Sequence, residues 1–372
     1  MGAELIPAVD PLPIPGPEWL FHLLLVFTFF LHALFMNLTL GGTLIAAFAQ
    51  VVSGGKGDDF RAVLAGRLMA VNSIGISLTI TTGIAPLLFV QVLYQQYFYT
   101  ATILIAPIWM LFLLMLMVGY YAAYLYKFKG TPAKGAGGTG WLLVAAAMFF
   151  LIAMVHVAVH LIHSQPEKWA AIAANPWAIL SDPSYWPRLF HFVLAGLGFS
   201  GLVVAWWAAR QAGKGEAVEL NTRIARYGWR WALWTTVIQV ADGFLLLFVL
   251  PRPVLVGLMK GGAATMVPLT LAIVLALGLL MMLSRVTNPV EKMGAVTGTL
   301  GTMVLIIAIM SITRHQVRVL YLEPVSSGFE LATAPQWGNF ILFALLLVAG
   351  LWVVYAMVKK VLASPASGED AA

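Results

Sequence analysis

Long apolar runs, separated by short polar or charged segments, dominate this 372-residue sequence. Runs of about 20 apolar residues are the length that crosses a hydrocarbon core of about 30 Å. Because lipid offers backbone groups no water, such spans form helices or closed barrels, and these runs lack the alternation of barrel strands. The pattern predicts an all-α polytopic membrane protein with nine spans at 18–51, 66–93, 101–126, 141–163, 186–209, 228–250, 265–284, 294–314 and 337–361.

The pattern also divides the chain into three parts. Residues 1–17 are rich in proline and are predicted to lie along the outer face before the first span. Residues 18–362 form the predicted nine-helix transmembrane domain, and residues 363–372 form a flexible cytoplasmic tail. The loops are too short to hold a separate soluble domain.

Charge placement predicts the orientation. Of the 21 Lys and Arg residues, 15 fall on one side of the predicted spans. The positive-inside rule then puts the N-terminus outside and the C-terminus in the cytoplasm. Topology therefore explains the net charge of +6, and we expect no nucleic-acid partner.

Composition limits the chemistry. The chain is 61% hydrophobic, has a mean hydropathy of +0.91 and contains no cysteine. Disulfides, iron–sulfur clusters, thiolate metal sites and covalently attached c-type haem are thereby excluded. A redox centre in this chain must be held by histidine or methionine.

The seven histidines all fall, in the predicted topology, between the bilayer midplane and the outer surface. An ionisable residue at membrane depth indicates a functional site by default. We treat all seven as candidate cofactor ligands: His22, His32, His156, His160, His163, His191 and His315.

The fourth span carries the segment HVAVHLIH. At about 100° per residue, its three histidines lie within a stripe of about 60° and can face one neighbour. They could ligate haem iron or a metal. Alternatively, they are interfacial histidines that hydrogen-bond to headgroups and loops.

His32 and His191 are the best candidates for axial ligands of a b-type haem. A porphyrin that lies flat on a helix needs small neighbours around its ligand. Such residues are nearby in the sequence: Gly41 and Gly42 after His32, and Ala195, Gly196 and Gly198 after His191. Alternatively, the glycines serve close helix packing.

Polar residues near the predicted outer surface suggest further roles. Arg188, Arg252, Arg314 and Arg318 could bind haem propionates, because guanidinium groups suit bidentate carboxylate binding, or could anchor loops. Asp242 and Gln239 in the sixth span could relay protons or bind a quinol hydroxyl. They could equally be structural partners of a buried arginine or amide.

Three segments make the sequence resemble subunit I of the cytochrome bd-type quinol oxidases. LHALFMNLTLGG is similar to the family's first-helix motif and places His32 on a haem-ligand position. RLFHFVLAGLGFSG is similar to the fifth-helix motif and places His191 on the low-spin haem b ligand, with Arg188 on a basic neighbour. TRHQVRVLYLEP is similar to the end of the eighth helix, with Arg314 on a motif arginine.

The sequence also departs from the family pattern. Only PRPVLVGLMKGG stands where the family has its long quinol-binding loop. Carboxylates expected from the resemblance are replaced near Leu111, Gly119 and Ser311. The methionine opposite the low-spin haem histidine has no clean match, and Met266 lies one turn from its place. The resemblance therefore implies a dismantled oxygen-reducing site, with additional histidines in its place.

These observations predict a divergent cytochrome b-like subunit in a bacterial cytoplasmic (inner) membrane. It would hold two or three b-type haems and pass electrons between the quinone pool and a c-type cytochrome, multihaem by expectation, on the outer face. One alternative is a divergent quinol oxidase that still reduces oxygen. Another is a haem-free membrane anchor of a respiratory complex, whose histidines bind quinone or only pack.

Overall fold

The structure is a computed structural model that describes residues 6–7, 13–54, 56–130, 138–326 and 332–363. The described residues form twelve α-helices. Their bounds are α1 Glu18–Val52, α2 Phe60–Leu93, α3 Gln95–Leu104, α4 Ala106–Lys129, α5 Thr139–Ser164, α6 Trp169–Ala174, α7 Tyr185–Gly213, α8 Val218–Val249, α9 Arg252–Lys260, α10 Ala263–Arg285, α11 Met293–Ser326 and α12 Trp337–Ala363. Most of segment 1–17, and residues 364–372 of the tail, lie outside the described residues.

Eight of these helices are long and apolar enough to cross a membrane: α1, α2, α4, α5, α7, α8, α10 and α11. This confirms the all-α class and a multi-pass membrane protein. Within α12, the stretch Trp337–Gly350 is a shorter apolar helix, so the ninth span stays a prediction. The orientation also stays a prediction, and we call the end of the bundle where α1 begins the predicted outer end.

Several helix boundaries differ from the predicted spans for local reasons. Helix α2 begins at Phe60 rather than near residue 66, because the Asp59 carboxylate caps it by accepting a hydrogen bond from the backbone N–H of Arg61. The predicted third span, 101–126, is wrong at its start. The helix is interrupted at Ile105, between α3 and α4, just before Pro107.

Two further differences lie in polar segments for which the hydropathy pattern predicts loops and the structure has helices. Helix α11 continues past the predicted end at residue 314, because Val317, Arg318 and Leu322 are buried against the bundle. The linker between the sixth and seventh spans forms the short helix α9, which packs on α10 and α11 through buried Val254 and Leu258.

Helix α1 lies at the centre of the bundle and packs on α2, α5, α7 and α11. Its crossing with α7 is a backbone contact: a Cβ atom on Gly41 would lie 2.0 Å from the Gly196 carbonyl oxygen. Gly42 packs on Asn72 of α2, and Gly198 faces Thr235 of α8. These glycines lie at helix crossings, which favours close packing over a flat surface for a porphyrin.

A buried hydrogen-bond network joins α1 to α2. Asn72 donates through its side-chain amide to the Thr39 carbonyl oxygen at 3.2 Å and to the Thr43 hydroxyl at 3.0 Å. Thr39 and Thr79 share a hydroxyl–hydroxyl hydrogen bond of 2.9 Å. Both helices are thus held in one relative rotation, which sets where the His32 side chain of α1 lies.

We expect the substitution Gly41→Ala to destabilise the protein by at least about 1–3 kcal/mol, because a methyl group cannot fit against the α7 backbone without separating the helices. Thermal unfolding of the detergent-solubilised protein measures the effect. The matched control is Gly278→Ala in α10, where an added Cβ meets nothing within 4 Å. Equal melting temperatures for the two variants would contradict the close contact.

Candidate functional site

His191 of α7 is paired with a carboxylate inside the bundle. Its Nδ1 donates to Asp242 Oδ2 of α8 at 3.2 Å, and the Gln239 amide lies 3.5 Å from the His191 carbonyl oxygen. A carboxylate on one ring nitrogen leaves a lone pair on Nε2, which is the arrangement of metal-ligating histidines. Asp242 therefore contacts the ring of His191, and Gln239 contacts its backbone.

The His191 side chain lies at an apolar cavity of about 220 Å³. The walls come from α1, α7, α8, α10 and α11, with Leu258 of α9. Among the described residues, the methionines that line it are Met36, Met303 and Met310. Met266 is 46% exposed and is outside this lining, so the structure does not bring it to His191.

Two arginines border the cavity with unpaired donors. Arg188 Nε and Nη2 and Arg314 Nε are buried and have no hydrogen-bond partner among the described protein atoms. Arg314 also stacks on Phe29 of α1, with its guanidinium carbon 4.1 Å from the ring centroid. Buried guanidinium donors that lack a partner favour an anionic ligand, because leaving them unpaired is costly.

Two histidines of α5 are bonded to arginines of α11. His163 donates through Nδ1 to the Val159 carbonyl oxygen at 3.0 Å and accepts at Nε2 from Arg318 Nε at 3.1 Å. His160 Nδ1 accepts from Arg314 Nη2 at 3.4 Å. Both ring nitrogens of His163 are thus used within the protein, and the His160 proton resides on Nε2. These contacts favour a structural role for His163.

His32 and His156 differ from this pair. His32 Nδ1 donates to the Thr79 carbonyl oxygen of α2 at 3.0 Å, and its ring packs on Gly83, where a Cβ would lie 2.8 Å from His32 Cε1. His156 Nδ1 donates to the Ile152 carbonyl oxygen at 2.8 Å. In both residues the donated bond leaves the Nε2 lone pair available.

His22 and His315 meet at the predicted outer end, with ring centroids 4.9 Å apart. His22 Nε2 donates to Glu18 Oε1 at 3.1 Å, and Nδ1 of each histidine is buried without a hydrogen-bond partner. Within the described residues, no group of three or more His, Asp or Glu side chains forms a metal site. Arg252 is exposed at the start of α9 and is outside the residues that line the cavity.

The sequence interpretation missed the residues that shape the histidine surroundings. Gly243 lines the cavity, and a Cβ there would lie 3.3 Å from His191 Cε1. Gly83 of α2 likewise packs directly on the His32 ring of α1. The motif glycines drew attention instead because they share a helix with a histidine. A glycine on the opposite helix is recognisable only once the helix pairing is known.

The fold is similar to that of a solved structure of a bd oxidase. Over 94% of this chain and 100% of the other, it superposes on the bd oxidase from Geobacillus thermodenitrificans with a TM-score of 0.72 and 14% sequence identity. No protein-family model and no curated protein matches the sequence. The expected bd-oxidase-like fold is therefore confirmed as a fold.

These residues fit a haem group by three tests. His191 offers Nε2 at an apolar cavity, small residues adjoin its ring, and unpaired guanidinium donors lie at the same cavity. Axial histidine, an apolar enclosure and cations for the propionates are what haem binding requires.

A polar clamp holds the segment between α5 and α7. Lys168 donates to Asp182 Oδ2, and Asp182 Oδ1 accepts from the Ser184 backbone N–H at 2.8 Å and hydroxyl at 2.6 Å. Burial raises the pKa of the Asp182 carboxyl, but the hydrogen bonds from Lys168 and Ser184 outweigh it, so the pKa is lowered below 3.8.

We expect Asp182→Asn to lower stability at neutral pH by about 1–3 kcal/mol, since buried charge-assisted hydrogen bonds are lost. A lowered pKa stabilises the fold above the ordinary carboxyl range, and this contribution disappears as pH falls through the lowered value. Melting temperatures measured from pH 7 to pH 3 should therefore converge for wild type and variant. The exposed Asp58→Asn serves as control and should follow wild type throughout; a constant gap for Asp182→Asn would contradict the linkage.

Proposed function

We propose that this chain is a haem b-binding membrane subunit that transfers electrons between the quinone pool and a c-type cytochrome on the outer face of a bacterial cytoplasmic membrane. The observation that carries the proposal is the His191–Asp242 pair at an apolar cavity bordered by unpaired arginine donors. Haem b, when bound, supplies one-electron transfer.

The protein contributes ligation and electrostatics in this proposal. His191 would hold the iron through Nε2, and the Asp242 carboxylate would orient the imidazole and make it a stronger donor. Arg188 and Arg314 would bind carboxylates of the same group through the donors that the protein leaves unpaired. The apolar walls would exclude water and stabilise the less charged redox state.

The surroundings of two positions favour electron transfer over oxygen reduction. A side chain at Gly119 has no room, because its Cβ would lie 2.9 Å from the Phe149 ring. Ser311 lines the cavity and has no carboxylate, and its hydroxyl donates to the Ile307 carbonyl oxygen of the same helix at 2.8 Å. The described groups at these positions offer no acid for oxygen chemistry.

The fold similarity supports one other function, a divergent quinol oxidase, since the structural neighbour is a bd oxidase. The visible spectrum of the purified, dithionite-reduced protein separates the possibilities. Absorption bands of haem b without haem d are the expected result. A haem d band would overturn the electron-transfer proposal in favour of the oxidase, and a haem-free protein would favour the membrane-anchor alternative.

We expect His191→Ala to remove one low-spin haem b signal, measured by haem content and electron paramagnetic resonance. Asp242→Asn should keep the haem and raise its midpoint potential, because a weaker imidazole donor stabilises the ferric state less, at about 59 mV for each tenfold change in the redox equilibrium. Full haem content with an unchanged spectrum in His191→Ala would refute the assignment.

A further inference from the structure

We propose that His32 of α1 and His156 of α5 are the two axial ligands of a second haem, separate from the one assigned to His191. This inference rests on the proposed haem-binding function and adds a specific ligand pairing. It follows from the positions of the two residues on neighbouring helices, from their ring nitrogens and from the residues beside their rings.

A contact near the predicted inner end shows that the two residues lie at the same depth. The Gln50 side-chain amide of α1 lies 3.5 Å from the Thr139 hydroxyl of α5. At 1.5 Å per residue, His32 is about 27 Å along α1 from this contact, and His156 is about 26 Å along α5 in the same direction.

A second contact, nearer the predicted outer end, leads to the same result. The guanidinium of Arg314 lies on the Phe29 ring of α1 and also donates to His160 of α5. His32 lies about 4.5 Å further inward than Phe29 along α1. His156 lies about 6 Å further inward than His160 along α5. The two histidines therefore lie about one helical turn further inward than a common arginine.

The hydrogen bonds give both rings the tautomer that ligation requires. Each Nδ1 donates to a backbone carbonyl oxygen, that of Thr79 for His32 and that of Ile152 for His156. The Nε2 lone pair is then free on both rings, as in histidines that bind metals. Neither neighbour on α5 has this property, because His160 accepts at Nδ1 and His163 uses both nitrogens.

The residues beside both rings are compatible with ligation. The side chain of His156 is exposed, so its Nε2 is accessible to a ligand. Aromatic rings of Trp109 and Phe112 flank His156 at centroid distances of 5.7 and 4.9 Å. The His32 ring packs on Gly83, where no side chain covers it and a Cβ would lie 2.8 Å from Cε1.

Ligation by both imidazoles has a chemical consequence. It occupies both axial positions of the iron, so the group is six-coordinate and has no open position for oxygen. The site would then serve electron transfer alone. This pairing replaces the carboxylate ligand that the family resemblance implied near Ser311.

The experiment compares His32→Ala and His156→Ala in the full-length protein purified from membranes. Electron paramagnetic resonance, haem content and carbon monoxide difference spectra are the readouts, and Met154→Leu, two residues earlier on α5, is the matched control. We expect both alanine variants to lose the same low-spin signal, and His156→Ala to gain a high-spin signal that binds carbon monoxide. The double variant should lose no further low-spin signal, and Met154→Leu should match wild type.

A second substitution keeps the test informative if His156→Ala does not fold. His156→Met retains a haem-ligating side chain and should keep the low-spin state at a higher midpoint potential. Loss of different low-spin signals in His32→Ala and His156→Ala would overturn the pairing, as would an unchanged spectrum in His156→Ala. A wild-type protein without haem would instead overturn the proposed function itself.

Discussion

The contact between α1 and α7 at Gly41 and Gly196 is the constraint on which the candidate sites depend. The two backbones are in direct contact, and even a single methyl group on Gly41 would lie 2.0 Å from the Gly196 carbonyl oxygen. Helix α1 carries His32 toward α2 and contributes Phe29, Ala33 and Met36 to the His191 cavity. One helix crossing therefore holds both candidate haem sites in register.

Buried positive charge is the second organising feature. Arg188 and Arg318 are buried in an apolar bundle, and Arg314 stacks on an aromatic ring beside them. The neutral imidazoles of His160 and His163 accept hydrogen bonds from Arg314 and Arg318, which explains two of the additional histidines without a cofactor. The donors that stay unpaired belong to Arg188 and Arg314, which both line the His191 cavity. An anionic group in this cavity would offset the desolvation cost of these charges.

The comparison with the Geobacillus bd oxidase separates fold from function. At 14% identity the backbone arrangement is retained over nearly the whole chain. A bundle of apolar helices depends mainly on small residues at crossings and on general hydrophobicity, so its polar residues can change while the fold persists.

The sequence by itself determined the membrane class, eight of the spans and the concentration of histidines toward one end, because hydrophobicity and length act locally along the chain. Its motifs also predict His32 and His191 as haem ligands, and it left open whether the motif glycines make a porphyrin surface or serve close helix packing, which is where the structure places them. Only the tertiary structure decided that Asp242 pairs with His191, that Met266 lies away from the cavity and that Arg318 uses His163. The physical reason is that such contacts depend on helix rotation and tilt, which are set by packing between residues far apart in the chain.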